Sequence, residues 1–302
     1  MPLTFATRPS ALARWQTAHV IQLLQAAHPG LECDEYVITT TGDRTLDRPL
    51  PEIGSKGLFT GELEEALLSG RVQAAVHSLK DLPVENAPGI ALAAIPEREA
   101  AYDVLVSADG LTLSGLPARA RVGTCSLRRT AQLLARRPDL EILPVRGNVD
   151  TRLRKVLAGE YDAIVLAQAG LTRLGLQAHI SEVLSLNVML PAPGQGALAV
   201  QCRADDGATR ELLAAIHHPV TAAAVHAERA FLSGLGGGCS LPIAAFAEKN
   251  NDRIILTGAV LSIDGKQAVC LSAVDTEPDR LGQRLSQLVL ERGAAELLKA
   301  SV

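Results

Sequence analysis

A cysteine in a glycine-rich segment is the residue best suited to covalent chemistry. Cys239 follows the glycines at 236–238 and precedes a Ser-Leu-Pro segment at 240–242. Glycines have no Cβ, so a bulky group can approach the thiol, and the proline stops the segment from continuing as a helix. These features favour a covalent attachment point. The alternative is a helix C-cap followed by a buried cysteine, since free cysteine is among the most buried residue types.

Two further segments carry hydroxyl and guanidinium groups where predicted strands end. Residues 123–129 (GTCSLRR) end a strand and open a helix, and residues 146–152 (RGNVDTR) repeat the arrangement. Free N–H groups at a helix start attract anions, and arginine pairs well with carboxylate or phosphate. Adjacent strand ends of this kind meet in one crevice of an open α/β sheet, which predicts an anion site. The side chains concerned are Ser126, Arg128, Arg129, Arg146 and Arg152. A solvated helix start capped by its serine is the alternative.

Other charged residues occupy comparable places near the N-terminus. Arg8 and Ser10 follow the first predicted strand. Lys56 lies in a GSKG segment, and Lys80 ends another strand. Each cation alone is typical of a surface, but Asp81 directly follows Lys80, where anionic groups would be gathered. We predict that this acid accepts N–H donors or stabilises a developing cation, the alternative being a helix-cap or turn aspartate before a proline.

Several patterns argue against nucleotide and metal sites. Residues 194–196 (GQG) imitate part of a dinucleotide fingerprint, but the ALAVQC that follows predicts a strand rather than a helix. Five cysteines without a CxxC pair predict neither a disulfide framework nor a zinc site. His77 and the pair at 217–218 have no cysteine or carboxylate at ligand spacing. We therefore predict no metal.

Composition narrows the class of protein. The 302 residues are 47% hydrophobic and 21% charged, which is ordinary for a soluble protein of two or three domains. A net charge of −4 and few aromatic residues give no general attraction to nucleic acid. The uncharged stretch at 183–202 is interrupted by glycine and proline, so no membrane span is predicted. The N-terminus lacks a secretory pattern, and we expect a cytoplasmic protein.

Periodicity predicts the elements that position these residues. The pattern at residues 59–72 predicts an amphipathic helix. Short apolar strands then alternate with helical stretches through residue 202, which favours α/β units with parallel strands. A helix at 219–235 leads into the glycine-rich segment. Beyond it, three strands joined by turns at 250–252 and 264–265 predict an antiparallel sheet, and a final helix at about 278–299 should cover one face.

Nine segments resemble the porphobilinogen deaminase family, also called hydroxymethylbilane synthases. They follow one another along nearly the whole chain, and their residues favour the functional roles over the local alternatives at Cys239, Ser126 and Asp81. The segments are ATRPSALARWQ, TTGD, SKGLFTGELE, AVHSLKDLP, VGTCSLRR, VRGNVDTRL, DAIVLAQAGLTRLGL, PAPGQGALAVQCR and GGGCSLPIAAFA.

The resemblance implies three domains around an active cleft. Two would be α/β domains of the periplasmic-binding-protein type, and the third an α+β domain with a three-stranded antiparallel sheet. The first would comprise residues 1–96 and 197–216, and the second 97–196. The third, residues 217–302, would present the cysteine.

The resemblance also implies the chemistry. Cys239 would hold a dipyrromethane cofactor through a thioether. Four molecules of porphobilinogen would each lose ammonia and be added head to tail, and water would release hydroxymethylbilane while the dipyrromethane stays bound. By similarity Asp81 is the catalytic acid and also binds the cofactor. The other cofactor-binding residues would be Lys80, Ser126, Arg128, Arg129 and Arg146, and the substrate-binding residues Arg8, Ser10, Lys56, Phe59, Arg152 and Arg173.

Two other classes stay open at this point. A two-lobed solute-binding or effector-sensing module would use the same anion site without chemistry. A cysteine hydrolase would use Cys239 as a nucleophile, but no histidine is placed as a convincing base. A monomer is expected by resemblance.

Overall fold

The computed structural model describes residues 2–44, 60–237 and 241–300. The strands are β1 (Leu3–Thr7), β2 (Cys33–Val37), β3 (Ala74–Ser78), β4 (Ile90–Ala94), β5 (Asp103–Ser107), β6 (Arg121–Gly123), β7 (Glu141–Leu143), β8 (Ala163–Ala167), β9 (Glu182–Leu184), β10 (Leu198–Arg203), β11 (Ile243–Asn250), β12 (Arg253–Leu261) and β13 (Ala268–Asp275). The helices are α1 (Ala11–Ala27), α2 (Thr41–Arg44), α3 (Gly61–Leu68), α4 (Leu127–Arg136), α5 (Val149–Leu157), α6 (Gln168–Arg173), α7 (Gly207–Ala214), α8 (Pro219–Gly234), α9 (Pro278–Val289) and α10 (Ala295–Lys299).

The chain divides into two compact units. One comprises Met1–Glu99 and Ala197–Ala222, and the other comprises Ala100–Gly196 and Ala223–Val302. The first unit contains a five-stranded sheet in the order β2-β1-β3-β10-β4. The second contains a five-stranded sheet in the order β7-β6-β8-β5-β9 and a separate three-stranded sheet, β11-β12-β13. Two α/β sheets and one antiparallel sheet confirm the predicted fold class.

Both faces of the first sheet are covered by helices. Leu24 of α1 packs with Phe5 of β1 on one face. Leu63 and Leu67 of α3 pack with Ala75 on the other. Burial on both faces explains why the central strand β3 is almost continuously apolar, as the sequence suggested.

The expectation of parallel pairing is correct only for part of each α/β sheet. β1 is parallel to β2 and β3, and β6 is parallel to β7 and β8. β10 runs antiparallel to β3 and β4, and β5 runs antiparallel to β8 and β9. A parallel neighbour needs a crossover connection that usually contains a helix. β5 and β10 are instead entered from linking segments, so they join their sheets in the opposite direction.

The C-terminal sheet packs on its own helices. β11, β12 and β13 form antiparallel ladders, with positive backbone φ angles at Asn251 (54°) and Gly265 (72°) in the two turns. Phe231 of α8, Leu256 of β12 and Leu285 of α9 meet in the core between sheet and helices. These three strands and their turns confirm the hairpin prediction.

One predicted helix ends earlier than its apolar pattern suggested, and another is interrupted. The helix expected from residue 59 to residue 72 spans only Gly61–Leu68, because Gly70 adopts a φ of 72° just past its end. The C-terminal helix is interrupted at Gly293, whose φ of 99° separates α9 from α10. A left-handed glycine is a common helix terminator.

A buried glutamate ties the segment before β10 to the C-terminal sheet. Glu228 of α8 is fully buried, and its Oε2 accepts a hydrogen bond from the N–H of Gly194 at 2.6 Å. Its Oε1 accepts one from the N–H of Ala247 in β11 at 2.8 Å. Each carboxylate oxygen therefore accepts a hydrogen bond from one backbone N–H. A side chain at this position needs two acceptor atoms to satisfy both donors.

None of the helices in the described ranges has the length and apolar character needed to cross a membrane.

We expect Glu228→Gln to lower the thermal midpoint of unfolding. The new amide group must turn a donor toward one backbone N–H, and an unsatisfied buried group costs about 1–3 kcal/mol. Differential scanning calorimetry measures the change. Glu248→Gln is the matched control, because Glu248 is exposed on the same strand as Ala247. Equal midpoints for the two variants would contradict the bridging role of Glu228.

Candidate functional site

Two strand ends bring charged residues to one edge of the first sheet. β1 and β3 are parallel neighbours, so their carboxyl ends lie at the same edge. Arg8 follows β1 directly, and Lys80 and Asp81 follow β3 in a 3₁₀ turn. Ser10 caps α1, its Oγ accepting a hydrogen bond from the N–H of Ala13 at 3.3 Å. The structure thus places four predicted residues of the first unit at one edge.

Asp43, which the sequence analysis did not single out, pairs with Arg8. The guanidinium Nη2 contacts one carboxylate oxygen, and Nε donates to Oδ2 at 3.2 Å. The Thr40 hydroxyl donates to Oδ2 at 2.8 Å. Burial alone would raise the pKa of Asp43, but the hydrogen bonds and charge of Arg8 and the contacts with Thr40 outweigh it and lower the pKa. Arg8 is therefore held in one orientation at the sheet edge.

Asp81 has different surroundings from Asp43. Its side chain is exposed, and within the part of the chain that the structure describes its carboxylate accepts no hydrogen bond. The local alternative, a capping or turn aspartate, would require such a bond to a backbone N–H. Asp81 is thus an acceptor beside Lys80 that the surrounding fold leaves to solvent.

His77, the second-to-last residue of β3, is buried next to this edge. It is 7% exposed, and its Nε2 has no hydrogen-bond partner within the described ranges. Burial lowers its pKa to about 4, and the positive charge of Arg8 acts in the same direction, while the nearby Gln201 side chain opposes it. The ring is therefore neutral at physiological pH. Beside it, Gln16 of α1 donates to the Ser78 hydroxyl at 2.9 Å and fixes the end of β3.

In the second unit, the end of β6 forms a capped helix start. Thr124 accepts a hydrogen bond from the N–H of Ser126 at 3.1 Å, and the Ser126 hydroxyl accepts one from the N–H of Arg129 at 3.4 Å. Ser126 is thus the N-cap of α4, the local role that the sequence left open. Cys125 is exposed at this turn, and its thiol donates to the carbonyl of Val145 at 3.2 Å.

Arg128 and Arg129 share one buried carboxylate, Asp103. Arg128 Nη1 lies 2.7 Å from Oδ2, and Arg129 Nη2 lies 2.7 Å from Oδ1. Both guanidiniums also donate to backbone carbonyls, Arg128 to Leu190 and Arg129 to Val165. Burial lowers the pKa of Arg128, and the Asp103 charge counteracts this. Two cations against one anion leave a net positive charge at the first turn of α4.

Asp103 was missed by the sequence analysis although a signal for it existed. It opens the apolar strand DVLVS, and an acid at the start of a buried strand needs a cationic partner. The sequence gives no means of choosing that partner, because the arginines lie 25 and 26 residues away.

The end of β7 supplies the second basic group of this sheet edge. β7 is parallel to β6, so Arg146 emerges at the same edge as Ser126. Gly147 adopts a φ of 110°, and a Cβ there would lie 2.7 Å from the methyl group of Thr151. Arg152 donates from Nε to the carbonyl of Gly147 at 2.7 Å, which orients its guanidinium toward this turn. Three predicted residues, Ser126, Arg146 and Arg152, thus stand on one edge with Arg128 and Arg129 behind them.

Arg173 lies deeper than the prediction implied. It ends α6, is 8% exposed, and donates from Nη2 to the carbonyl of Gly196 at 2.7 Å. Three predicted residues, Cys239, Lys56 and Phe59, lie outside the described residues. Before the first of them, Gly236 and Gly237 have φ angles of 89° and 63° and close the C-terminus of α8, as the helix-cap alternative anticipated.

Each sheet edge can bind an anionic molecule with several carboxylates. Capped helix starts supply N–H groups, and arginine and lysine supply charge. In the described ranges, no group of three or more histidine, cysteine or acidic side chains is arranged to hold a metal ion.

We expect His77 to make folding stability pH-dependent. Its pKa is about 4 in the folded protein and near 6.5 when unfolded, so protonation favours unfolding. The stability is fully present above pH 6.5 and falls as the pH drops toward 4. Between pH 7.5 and pH 5 this group removes about 2 kcal/mol, which His77→Gln abolishes. Urea unfolding at both pH values tests this, with His179→Gln as control. A wild-type pH slope in His77→Gln would refute it.

Family models and curated relatives agree along the chain. Residues 3–211 match the model "Porphobilinogen deaminase, dipyromethane cofactor binding domain", and residues 222–291 match "Porphobilinogen deaminase, C-terminal domain". The porphobilinogen deaminase of Roseiflexus castenholzii is 50% identical over 297 residues, covering 98% of this chain and 98% of its own. That of Moorella thermoacetica is 50% identical over 295 residues, covering 97% and 94%.

These matches favour the enzyme over the solute-binding module and the cysteine hydrolase. Both family models carry the same name, and together they extend over the α/β sheets and the C-terminal sheet. A third relative, from Syntrophotalea carbinolica, is 49% identical over 300 residues and covers 99% of this chain and 95% of its own. The chain belongs to the porphobilinogen deaminase family.

Proposed function

We propose that Asp81 is the catalytic acid of this transferase and that Cys239 anchors its cofactor. The family reaction deaminates and polymerises four porphobilinogen molecules and releases hydroxymethylbilane in tetrapyrrole biosynthesis. The observation that carries the proposal is the exposed Asp81 carboxylate, which accepts no hydrogen bond within the described residues and lies beside Lys80. Asp43, on the same side of the unit, is instead paired with Arg8.

The basic sheet edge of the second unit fits the cofactor chemically. Dipyrromethane, when bound, supplies the primer pyrrole to which the substrate is added, and its acetate and propionate groups are anions. We assign the binding of these groups to Ser126, Arg128, Arg129 and Arg146, and also to Lys80. Arg128 and Arg129 add the positive charge that Asp103 does not neutralise.

Asp81 would act through its negative charge. A carboxylate accepts hydrogen bonds from pyrrole N–H groups and favours the cation that the substrate becomes on losing ammonia. It can also hold the proton that the leaving amine requires.

Substrate carboxylates would be held by residues around the two sheet edges. We assign this role to Arg8, Ser10, Arg152 and Arg173, together with Lys56 and Phe59. Support comes from the fixed orientation of Arg8 by Asp43 and of Arg152 by the Gly147 carbonyl. Preorganised guanidiniums lose less freedom when a carboxylate binds.

We further propose a three-domain organisation and a cytoplasmic monomer. The domains would be residues 1–96 with 197–216, then 97–196, and then 217–302. Support for the third domain comes from its separate antiparallel sheet and apolar core. We expect no association with nucleic acid or membrane, in keeping with the net charge of −4.

Asp81→Asn is expected to lower kcat by at least about a hundredfold, because it preserves shape while deleting the charge and the proton acceptor. The cofactor should remain attached, and the thermal midpoint should not change, since Asp81 is exposed. Porphobilinogen consumption measures kcat, and intact mass spectrometry measures the cofactor. Glu85→Gln, which changes an exposed acid four residues away, serves as control. Near-normal turnover by Asp81→Asn would remove this residue from the mechanism.

Cys239→Ser is expected to abolish the covalent cofactor. A hydroxyl is a far weaker nucleophile than a thiol, so no thioether can form. Intact mass spectrometry should show the loss of two deaminated porphobilinogen units, and peptide mapping of the wild-type protein should locate them at residue 239. Cys125→Ser is the matched control and should retain both units. Retention of the added mass by Cys239→Ser would place the anchor elsewhere.

A further inference from the structure

Helix α4 is packed on both sides within the second unit. On one face Leu133 joins the core of the α/β sheet with Leu105 and Val122. On another face Ala131 packs against Ala244 of β11, together with Ala259 and Leu261 of β12. The helix that Ser126 caps is therefore also the surface on which the C-terminal sheet rests.

The tip of the β12–β13 hairpin touches the backbone of α4 itself. Gly265 has a φ of 72°, and a Cβ built on it would lie 2.5 Å from the amide nitrogen of Ala135 and would collide with the carbonyl oxygen of Ala131. Only glycine permits this approach. The tip is held in shape by Asp264, which accepts hydrogen bonds from the Ser262 hydroxyl at 2.6 Å and the Lys266 N–H at 3.1 Å.

The hairpin is connected directly to the segment that carries Cys239. Leu261, the last residue of β12, donates its N–H to the carbonyl of Pro242 at 3.1 Å. Pro242 is three residues beyond Cys239, a reach of about 10 Å at most. At the other end, Ala131 is five residues beyond Ser126, which is about 7.5 Å along a helix. The contact between Gly265 and α4 thus links Pro242 to the helix that Ser126 caps.

A second connection joins the same two places. Ala245 of β11 donates to the carbonyl of Pro191 at 3.0 Å. The neighbouring Leu190 carbonyl accepts from Arg128 at 2.7 Å and from Gln132 at 3.1 Å, and the Leu190 N–H donates back to Gln132 at 2.8 Å. The first two turns of α4 are therefore tied to β11, which begins just after the anchor segment.

We propose that Gly265 is a positioning residue for the covalent cofactor. By docking the hairpin on α4, it holds Pro242, three residues after the proposed anchor, at a fixed place relative to Ser126, Arg128 and Arg129. Pro242 and the first turn of α4 then keep one relative position while the cofactor is extended. This inference rests on the proposed roles of Cys239 and the α4 residues. It adds a residue that touches neither cofactor nor substrate.

Gly265→Asn tests the proposal, with Gly175→Asn as the matched control. Asparagine tolerates the left-handed conformation, and Gly175 has a φ of 70° with nothing within 4 Å of a built Cβ. The two variants therefore share any backbone strain and differ in the contact with α4. We expect hydrogen exchange at residues 131–135 to accelerate only in Gly265→Asn. By intact mass, its fraction of cofactor-loaded molecules should fall about tenfold, since small misplacements of reacting groups have effects of this size or larger.

Each outcome decides the proposal. Unchanged exchange in Gly265→Asn would show that the close approach is absent, and accelerated exchange with normal loading would show that docking does not position the anchor. Either result overturns the inference. Cys239→Ser is measured in parallel. If that variant stays loaded, the proposed anchor is wrong, whereas an unloaded Cys239→Ser beside a normally loaded Gly265→Asn rejects only the role of Gly265.

A second pair of variants applies if Gly265→Asn does not fold. Leu261→Ala thins the apolar contact with α4, whereas Leu256→Ala removes a similar side chain from the core of the C-terminal sheet. Both variants lose stability through a cavity. Reduced loading in Leu261→Ala alone supports positioning. Equal loading in the two variants overturns it, because a merely structural effect would follow stability.

Discussion

The pairing of one buried carboxylate with two guanidiniums underlies the geometry of the second unit. Asp103 is fully buried, and its two oxygens are taken by Arg128 and Arg129. Burying a charge without a partner is prohibitive, so the acid on β5 and the first turn of α4 must stay together. Ser126 and the N-terminus of α4 are thereby fixed at the sheet edge. The carboxylate neutralises only one of the two arginines, which leaves positive charge where an anionic ligand is expected.

Asp43 and Asp81, two acids of the first unit, differ in their hydrogen-bond partners. Asp43 is bonded to Arg8 and Thr40, and this combination lowers its pKa despite burial. Asp81 lies three residues beyond the end of β3. Within the described chain, its carboxylate has no hydrogen-bond partner of this kind. The Asp43 carboxylate therefore orients a cation, whereas the Asp81 carboxylate is exposed to solvent. His77 stays neutral beneath them because the protein interior and Arg8 both disfavour a second positive charge.

Helix α4 contacts both sheets of the second unit. α4 contacts the α/β core with Leu133, the C-terminal sheet with Ala131, and the hairpin tip with its own backbone. Glu228 and Pro191 add hydrogen bonds between the segment before β10 and β11. Through these contacts the C-terminal sheet packs on the same helix that Ser126 caps.

The sequence by itself determined the α/β class, the hairpins of the C-terminal sheet and the strand ends that carry Arg8, Lys80, Asp81, Ser126 and Arg146. Local signals were sufficient there, because apolar runs, turn residues and helix caps act over a few neighbouring residues. The direction of β5 and β10 and the partners of Asp103, Asp43 and Glu228 were decided only by the tertiary structure. Each of these depends on groups far apart in the chain. A buried acid in the sequence indicates that a partner must exist, but the sequence does not identify which residue it is. The close approach of Gly265 to α4 is of the same kind, since a glycine in a turn does not reveal which backbone will pack against it.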